Sequence, residues 1–368
     1  MDDASPLVPT LSALIGQDGT VGLLRRILKA DRLPHAYLFH GPEGVGKGPA
    51  VLAFARVLLC TGDGAAERGE ACGRCRSCRL IAAASHPDLY RIGLYPKKDF
   101  PKSLKQKEEI PPKPLDFDPS GQETFTQIRI PQIRWLNTHS THPPVAGSRR
   151  IFIIAPADRL NPQAQNAILK TLEEPDSRSV IILVTTRPHA LLPTIRSRCM
   201  SVGLRPVDPL ILADKLEEKG YERQEAKLRS SLSAGRPVAA ETLDLHVMKT
   251  RRSGFLTDLN ALAGSPAALA DLPDMTRRIL GEGEQDLLEG LDLLQGLLRD
   301  VVRSGAGLPG ESLLHADIAT DLYELAGRFA PERTAGLITL IDRLRADLRF
   351  NVNKTLLAET ILAELARR

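Results

Sequence analysis

The chain has 368 residues, 42% of them hydrophobic and 26% charged, with a formal net charge of +4. That length exceeds one small core and predicts two or three domains at roughly 100–200 residues each. No apolar run approaches the roughly 20 residues needed to cross a bilayer, so a soluble chain with no membrane partner is expected, and the charge is much weaker than that of a dedicated nucleic-acid binder. Residues Met1 to Leu7 show neither a basic start with an apolar stretch nor a small-residue cleavage site, so the cytoplasm is the expected location.

Residues 36–40 read as a short buried strand, followed by the Gly-rich stretch Gly41 to Gly48 and an apolar helix through Leu59. Pro49 falls in the first helical turn, where its missing N–H breaks no intrahelical bond. The knot of cysteines between 60 and 78 comes next. Residues 96–120 hold six Lys and six Pro with few apolar residues, a composition that predicts a mobile insertion without an active site. Ile151 to Ala155 and Val180 to Val184 are β-branched runs typical of strands covered on both faces. Between them Asn161 caps a helix that begins at Pro162 and stops at Pro175, with Ala164, Ala167, Ile168, Thr171 and Leu172 at helical spacing. Strands alternating with helices imply a doubly wound parallel sheet. After Met200 helical periodicity takes over. A compact helical segment covers 204–246, and an all-helical one covers 247–368, where Leu287, Leu291, Leu294, Leu298 and Val301 form one packing stripe and Leu337, Ile341, Leu344 and Leu348 another.

Gly41-Pro42-Glu43-Gly44-Val45-Gly46-Lys47-Gly48 matches a phosphate-binding loop through its lysine. Gly41, Gly44 and Gly46 allow backbone N–H groups to turn toward a phosphate, and Lys47 adds a compact positive charge. Position 48 normally carries a Ser or Thr hydroxyl for magnesium, and glycine has none. The strand Ile151 to Ile154 should be followed by two acids, one for the metal and one to orient water, yet Ala155 and Pro156 stand there. Asp158 lies past the strand end. Hydrolysis by this chain is therefore not expected and ATP binding is expected to be weak or absent; a plain glycine turn competes with any nucleotide role.

Cys60, Cys72, Cys75 and Cys78 have the spacing of a tetrahedral zinc site, with the tight triplet supplying three ligands and Cys60 the fourth. No open coordination position is implied, so the expected zinc is structural. A redox pair is the main alternative, and Arg74, Arg76 and Arg79 allow a nucleic-acid contact or, more simply, a solvated rim. His86 reads as a hydrogen-bonded structural residue.

Two segments, Asn166 to Pro175 (NAILKTLEEP) and Leu192 to Cys199 (LPTIRSRC), are similar to the signature stretches of bacterial clamp-loader subunits. The cysteine pattern and Leu33 to Phe39 fit the same family, so the resemblance covers roughly residues 12–202, with a weaker match at Asn351 to Leu357. It implies an AAA+-type domain at 1–203 containing the zinc module (60–78), a helical lid domain at 204–246 and an all-helical collar domain at 247–368. The family's motors keep the metal-binding hydroxyl and strand-end acids, whereas this chain resembles the non-hydrolysing delta-prime branch. The resemblance implies that Arg198 reaches across a subunit interface as an arginine finger toward ATP bound by a neighbouring motor; Arg196 is a weaker candidate and Cys199 a packing residue. It also implies gamma/tau ATPase and delta subunits as partners, with the sliding clamp and primed DNA contacted through the assembly. Thr185 and Thr186 sit where motors sense the terminal phosphate, though a structural hydroxyl is the better reading here, and Val238 stands where motors carry a sensing arginine. An ATPase of the AAA+ type working alone and a zinc-dependent DNA-binding factor are the competing functions.

Overall fold

Five strands, β1 (Ala36–His40), β2 (Leu89–Ile92), β3 (Arg150–Ile154), β4 (Ser179–Thr185) and β5 (Met200–Gly203), pair in parallel in the order β2-β3-β4-β1-β5. The computed structural model describes residues 9–30, 32–100, 109–112, 125–264, 270–281, 284–348 and 352–367. Seven helices accompany the sheet: α1 (Asp18–Leu28), α2 (Lys47–Leu59), α3 (Ala65–Arg68), α4 (Arg76–Ala82), α5 (Ile130–Ser140), α6 (Pro162–Glu173) and α7 (Pro193–Arg198).

Side chains of a strand alternate between its faces, and here both faces are covered. Tyr37, Phe39, Ile151, Ile153, Val180, Ile182 and Val184 join one apolar cluster with α1 and α2. Leu38, Phe152, Ile154, Ile181 and Leu183 join the other with α5, α6 and α7. This is the expected doubly wound architecture. Two strands escaped the sequence reading. β2 and β5 have four residues each and lie at the sheet edges, where partial exposure erases the continuous apolar run of a central strand. The expectation that strands end at Met200 is corrected accordingly: β5 begins there.

Asn161 caps α6 as expected, its side-chain oxygen accepting from Ala164 N at 2.8 Å. Parts of the 96–120 insertion, 101–108 and 113–120, lie outside the described residues. Its described portion is anchored: Phe100 and Ile110 are buried with Tyr95, and the Arg129 guanidinium lies 4.3 Å from the centre of the Phe125 ring.

The described residues form two compact units, one from Met1–Asp208 with Arg236–Ala239 and one from Pro209–Gly235 with Ala240–Arg368. The second contains α8 (Pro209–Glu218), α9 (Arg223–Leu232), the end of α10 (Pro237–Thr242), α11 (Leu245–Gly264), α12 (Leu272–Leu280), α13 (Glu284–Gly305), α14 (Ala319–Ala326), α15 (Pro331–Asp347) and α16 (Lys354–Ala366). Leu287, Leu291, Leu294, Leu298 and Val301 are all buried in its core, as their spacing predicts. Leu228, Leu232, Leu243 and Leu245 of the 204–246 segment join that same cluster.

The helix that follows the phosphate loop is fixed by Phe54, fully buried and packed edge-to-face on Tyr37 at 5.0 Å between ring centres. Truncation to Phe54→Ala is expected to cost about 3–5 kcal/mol of stability, read as a shift in the denaturant midpoint of the full chain.

Candidate functional site

Because the strands are parallel, the segments after β1, β3 and β4 emerge at one edge of the sheet. The register pairs His40 with Thr185 and Ile154 with Leu183, which brings the glycine loop, the Ala155–Pro156 segment and the Thr185–Arg187 segment to that edge.

Lys47, at the start of α2, does not extend outward. Its ammonium donates to Gly41 O at 2.9 Å and Pro42 O at 2.6 Å, and the residue is only 9% exposed. Burial lowers its pKa from the ordinary lysine value, against the upward pull of Glu43 and Asp158. The loop is also tied down from outside. Gly44 O accepts from Val238 N at 2.9 Å and Ala239 N at 3.2 Å. Gly44 has a φ of +73°, and a Cβ there would lie 2.6 Å from the Ala239 Cβ, so glycine is required both by backbone and by space. Gly48 is different: a Cβ at that position meets nothing within 4 Å. The missing hydroxyl is not imposed by packing.

At the end of β3, Asp158 sits in a short 3-10 turn, Ala157–Arg159, with its carboxylate almost fully buried. Thr185 Oγ1 donates to it at 2.7 Å, and Arg187 grips it through Nε at 3.1 Å and an Nη at 2.8 Å. Thr185, 1% exposed, also accepts from Arg187 N at 2.9 Å, in keeping with a structural hydroxyl. Arg187 was not singled out from sequence, since nothing in local spacing reveals a partner 29 residues away.

Arg198 is elsewhere. It ends α7, two residues before Met200, which pairs with Tyr37 near the start of β1. It therefore lies toward the N-terminal ends of the strands, opposite the ends from which the phosphate loop emerges. Its Nη1 donates to Thr194 O at 2.9 Å and its Nη2 pairs with Glu173 Oε1 at 2.9 Å. Arg196 contacts His189 Nδ1 at 3.2 Å. Cys199 is buried in the apolar cluster, and burial pushes its thiol up to about 12, as a packing residue requires.

The four remaining cysteines converge, with one sulfur from each within 4.8 Å of all the others. Cys60 caps the C-terminus of α2, Cys75 caps the N-terminus of α4, and the Cys60–Cys75 and Cys60–Cys78 sulfur separations are 3.9 and 3.8 Å. A tetrahedral zinc with bonds of roughly 2.3 Å places its sulfurs roughly 3.8 Å apart, so this set fits. Amide N–H groups of Gly62 and Cys72 point at Cys60 Sγ, that of Cys75 at Cys72 Sγ, and that of Cys78 at Cys75 Sγ. Burial raises the Cys75 pKa, but hydrogen bonds from Thr61 and the Cys78 amide outweigh it and bring it to about 5, favouring the thiolate. Gly62 permits the close turn: a Cβ there would lie 2.8 Å from Cys72 Sγ. His86 supports the module from behind, its Nδ1 accepting from Asp88 N at 3.1 Å and its Nε2 lying 3.2 Å from Ser77 Oγ. It is structural, as expected. Arg74, Arg76 and Arg79 are exposed.

A parallel α/β core with a glycine loop between an interior strand and a helix is a P-loop-type architecture, here carrying an added four-cysteine module. Comparison with known proteins narrows the class. The family model for the DNA polymerase III delta subunit matches residues 16–208. DNA polymerase III subunit delta' of Bacillus subtilis is 26% identical over 95% of this chain and 96% of its own length, and that of Yersinia pestis is 32% identical over 79% and 76%. Among solved structures, a gamma-subunit-related protein of DNA polymerase III from Thermotoga maritima aligns over 94% of this chain and 98% of its own, at 19% identity and a TM-score of 0.41. The chain belongs to the DNA polymerase III delta-prime family.

Two measurements probe the site. Elemental analysis of the purified chain is expected to find one zinc per molecule, lost in Cys75→Ser together with thermal stability. Gly44→Ala, forced into a left-handed conformation against Ala239, is expected to destabilise the chain by about 1–2 kcal/mol or more, read by denaturant titration.

Proposed function

We propose that this chain is the delta-prime component of a DNA polymerase III clamp loader: a stator that does not hydrolyse ATP, carries a structural zinc, and donates Arg198 to ATP held by a neighbouring gamma/tau subunit while the assembly, with delta, places a sliding clamp on primed DNA. The observation that carries this reading is that both charges at the loop edge have internal partners. Lys47 is bonded to its own loop carbonyls and Asp158 is held by Arg187. Phosphoryl transfer relies on positioned cations and a water-orienting acid, and with Gly48, Ala155 and Pro156 at the expected ligand positions no oxygen-bearing side chain stands there for magnesium.

The location of Arg198 supports action in trans. From Tyr37, opposite Met200, to His40, next to the loop, β1 advances by three residues, roughly 10 Å at 3.3 Å per residue. Arg198 precedes that span, on the far side from its own loop. A guanidinium there can spread its donors over a phosphoryl group presented by another chain. In that arrangement the zinc, held by Cys60, Cys72, Cys75 and Cys78, cross-links the segments that follow α2 and precede α4 and takes no part in the chemistry.

Purified chain incubated with labelled ATP and magnesium is expected to show no turnover; steady hydrolysis would instead identify an AAA+ motor. In the complex reconstituted with gamma/tau and delta, Arg198→Ala is expected to lower DNA-stimulated hydrolysis at the adjacent site by about 10³ or more with assembly intact by gel filtration. Unchanged hydrolysis would leave only scaffolding.

A further inference from the structure

Arg198 does not float in solvent. Glu173, the last residue of α6, meets it through Oε1 at 2.9 Å, and the Thr194 carbonyl, one turn earlier in α7, accepts from its other terminal nitrogen at 2.9 Å. The backbones that carry this pair are fixed. Leu172 and Cys199, the sequence neighbours of Glu173 and Arg198, are buried in one apolar cluster with Ile168 and Ile195. So two anchors on rigid helices hold a side chain that would otherwise sample many rotamers.

A guanidinium has five N–H donors. One faces Thr194 O and one faces Glu173, which leaves three, the Nε–H and one on each terminal nitrogen, for another acceptor. That division suits a group that must be aimed before its target arrives. Both side chains are partly exposed, 35% for Arg198 and 50% for Glu173, so the pair is reachable from outside. Building on the arginine-finger reading of Arg198, we infer that Glu173 is its positioning residue: the carboxylate, with the Thr194 carbonyl, holds the guanidinium from behind and presents its three remaining donors to the phosphate oxygens of a nucleotide carried by a neighbouring chain.

Reach matters more than charge in this arrangement. Removing the anchor leaves Arg198 in place but unaimed, and misplacement by about 1 Å costs about 100-fold in rate. In the reconstituted complex Glu173→Ala is therefore expected to lower kcat for ATP about 10- to 100-fold while changing KM about twofold at most. Glu173→Gln, whose amide oxygen still accepts, is expected to stay within about threefold of wild type. Glu173→Asp keeps the charge but falls one methylene short, and is expected to behave like the alanine variant. The double variant Arg198→Ala, Glu173→Ala is expected to be no slower than Arg198→Ala alone, because the two residues act as one unit.

The outcomes separate the two ideas. Full activity in Glu173→Ala beside a large loss in Arg198→Ala would remove the positioning role and leave the finger standing. A loss in Glu173→Ala that persists undiminished in the Arg198→Ala background would also remove it, since Glu173 would then act on structure. Wild-type hydrolysis by Arg198→Ala would overturn the finger reading and, with it, this inference.

Discussion

Parallel strands cannot be joined by a tight turn, so each crossover must carry the chain back across a face of the sheet, and both faces end up covered. That double burial of β1, β3 and β4 is the constraint from which the rest of the first unit follows. It decides which residues are apolar, since every residue of β3 and β4 is buried. It also decides where polar chemistry can be placed. Only the strand ends and the loops beyond them remain available, and the two edges acquire different contents: the glycine loop, Asp158 and Thr185 at one, the Glu173–Arg198 pair toward the other.

At the first edge, the loop is stabilised in a form that answers its own hydrogen-bonding needs. An ammonium taken out of water must find acceptors, and Lys47 finds two loop carbonyls. A buried carboxylate must find donors, and Asp158 finds Thr185 and Arg187. Two of the three Lys47 N–H donors are thereby used within the loop itself. The turn therefore keeps the sequence shape of a phosphate loop while its charges are balanced locally, and the amides of Val238 and Ala239 hold it from the other side.

Much of this was legible in the sequence because it depends on local patterning. Fully buried runs betray β1, β3 and β4. The Leu287 to Val301 stripe betrays a core helix, and the spacing of four cysteines betrays a set that the fold brings together closely enough to hold a metal ion. What stayed hidden depends on partners far apart in the chain or on strands too short to have a period. β2 and β5, each four residues long at an edge, carry no distinguishing alternation. The link between Arg187 and Asp158 and the anchoring of Arg198 by Glu173 are visible only once β3, β4, α6 and α7 are laid side by side. The Lys/Pro-rich stretch shows the limit of composition: two of its apolar residues, Phe100 and Ile110, dock beside Tyr95.

Gly48 and Ala155, the two positions that depart from the usual ligand pattern, differ in the room the fold leaves them. At Gly48 a side chain would extend into open space, so a hydroxyl could return there by one substitution with nothing to displace. The strand end offers no such freedom. Ala155 packs partly against the apolar cluster, its N–H is bonded to Ile92 O at 2.9 Å, and its carbonyl would lie 2.9 Å from a Cβ at Gly93. The loop position is thus open to a larger side chain, whereas a change at Ala155 bears directly on the junction of β2 and β3.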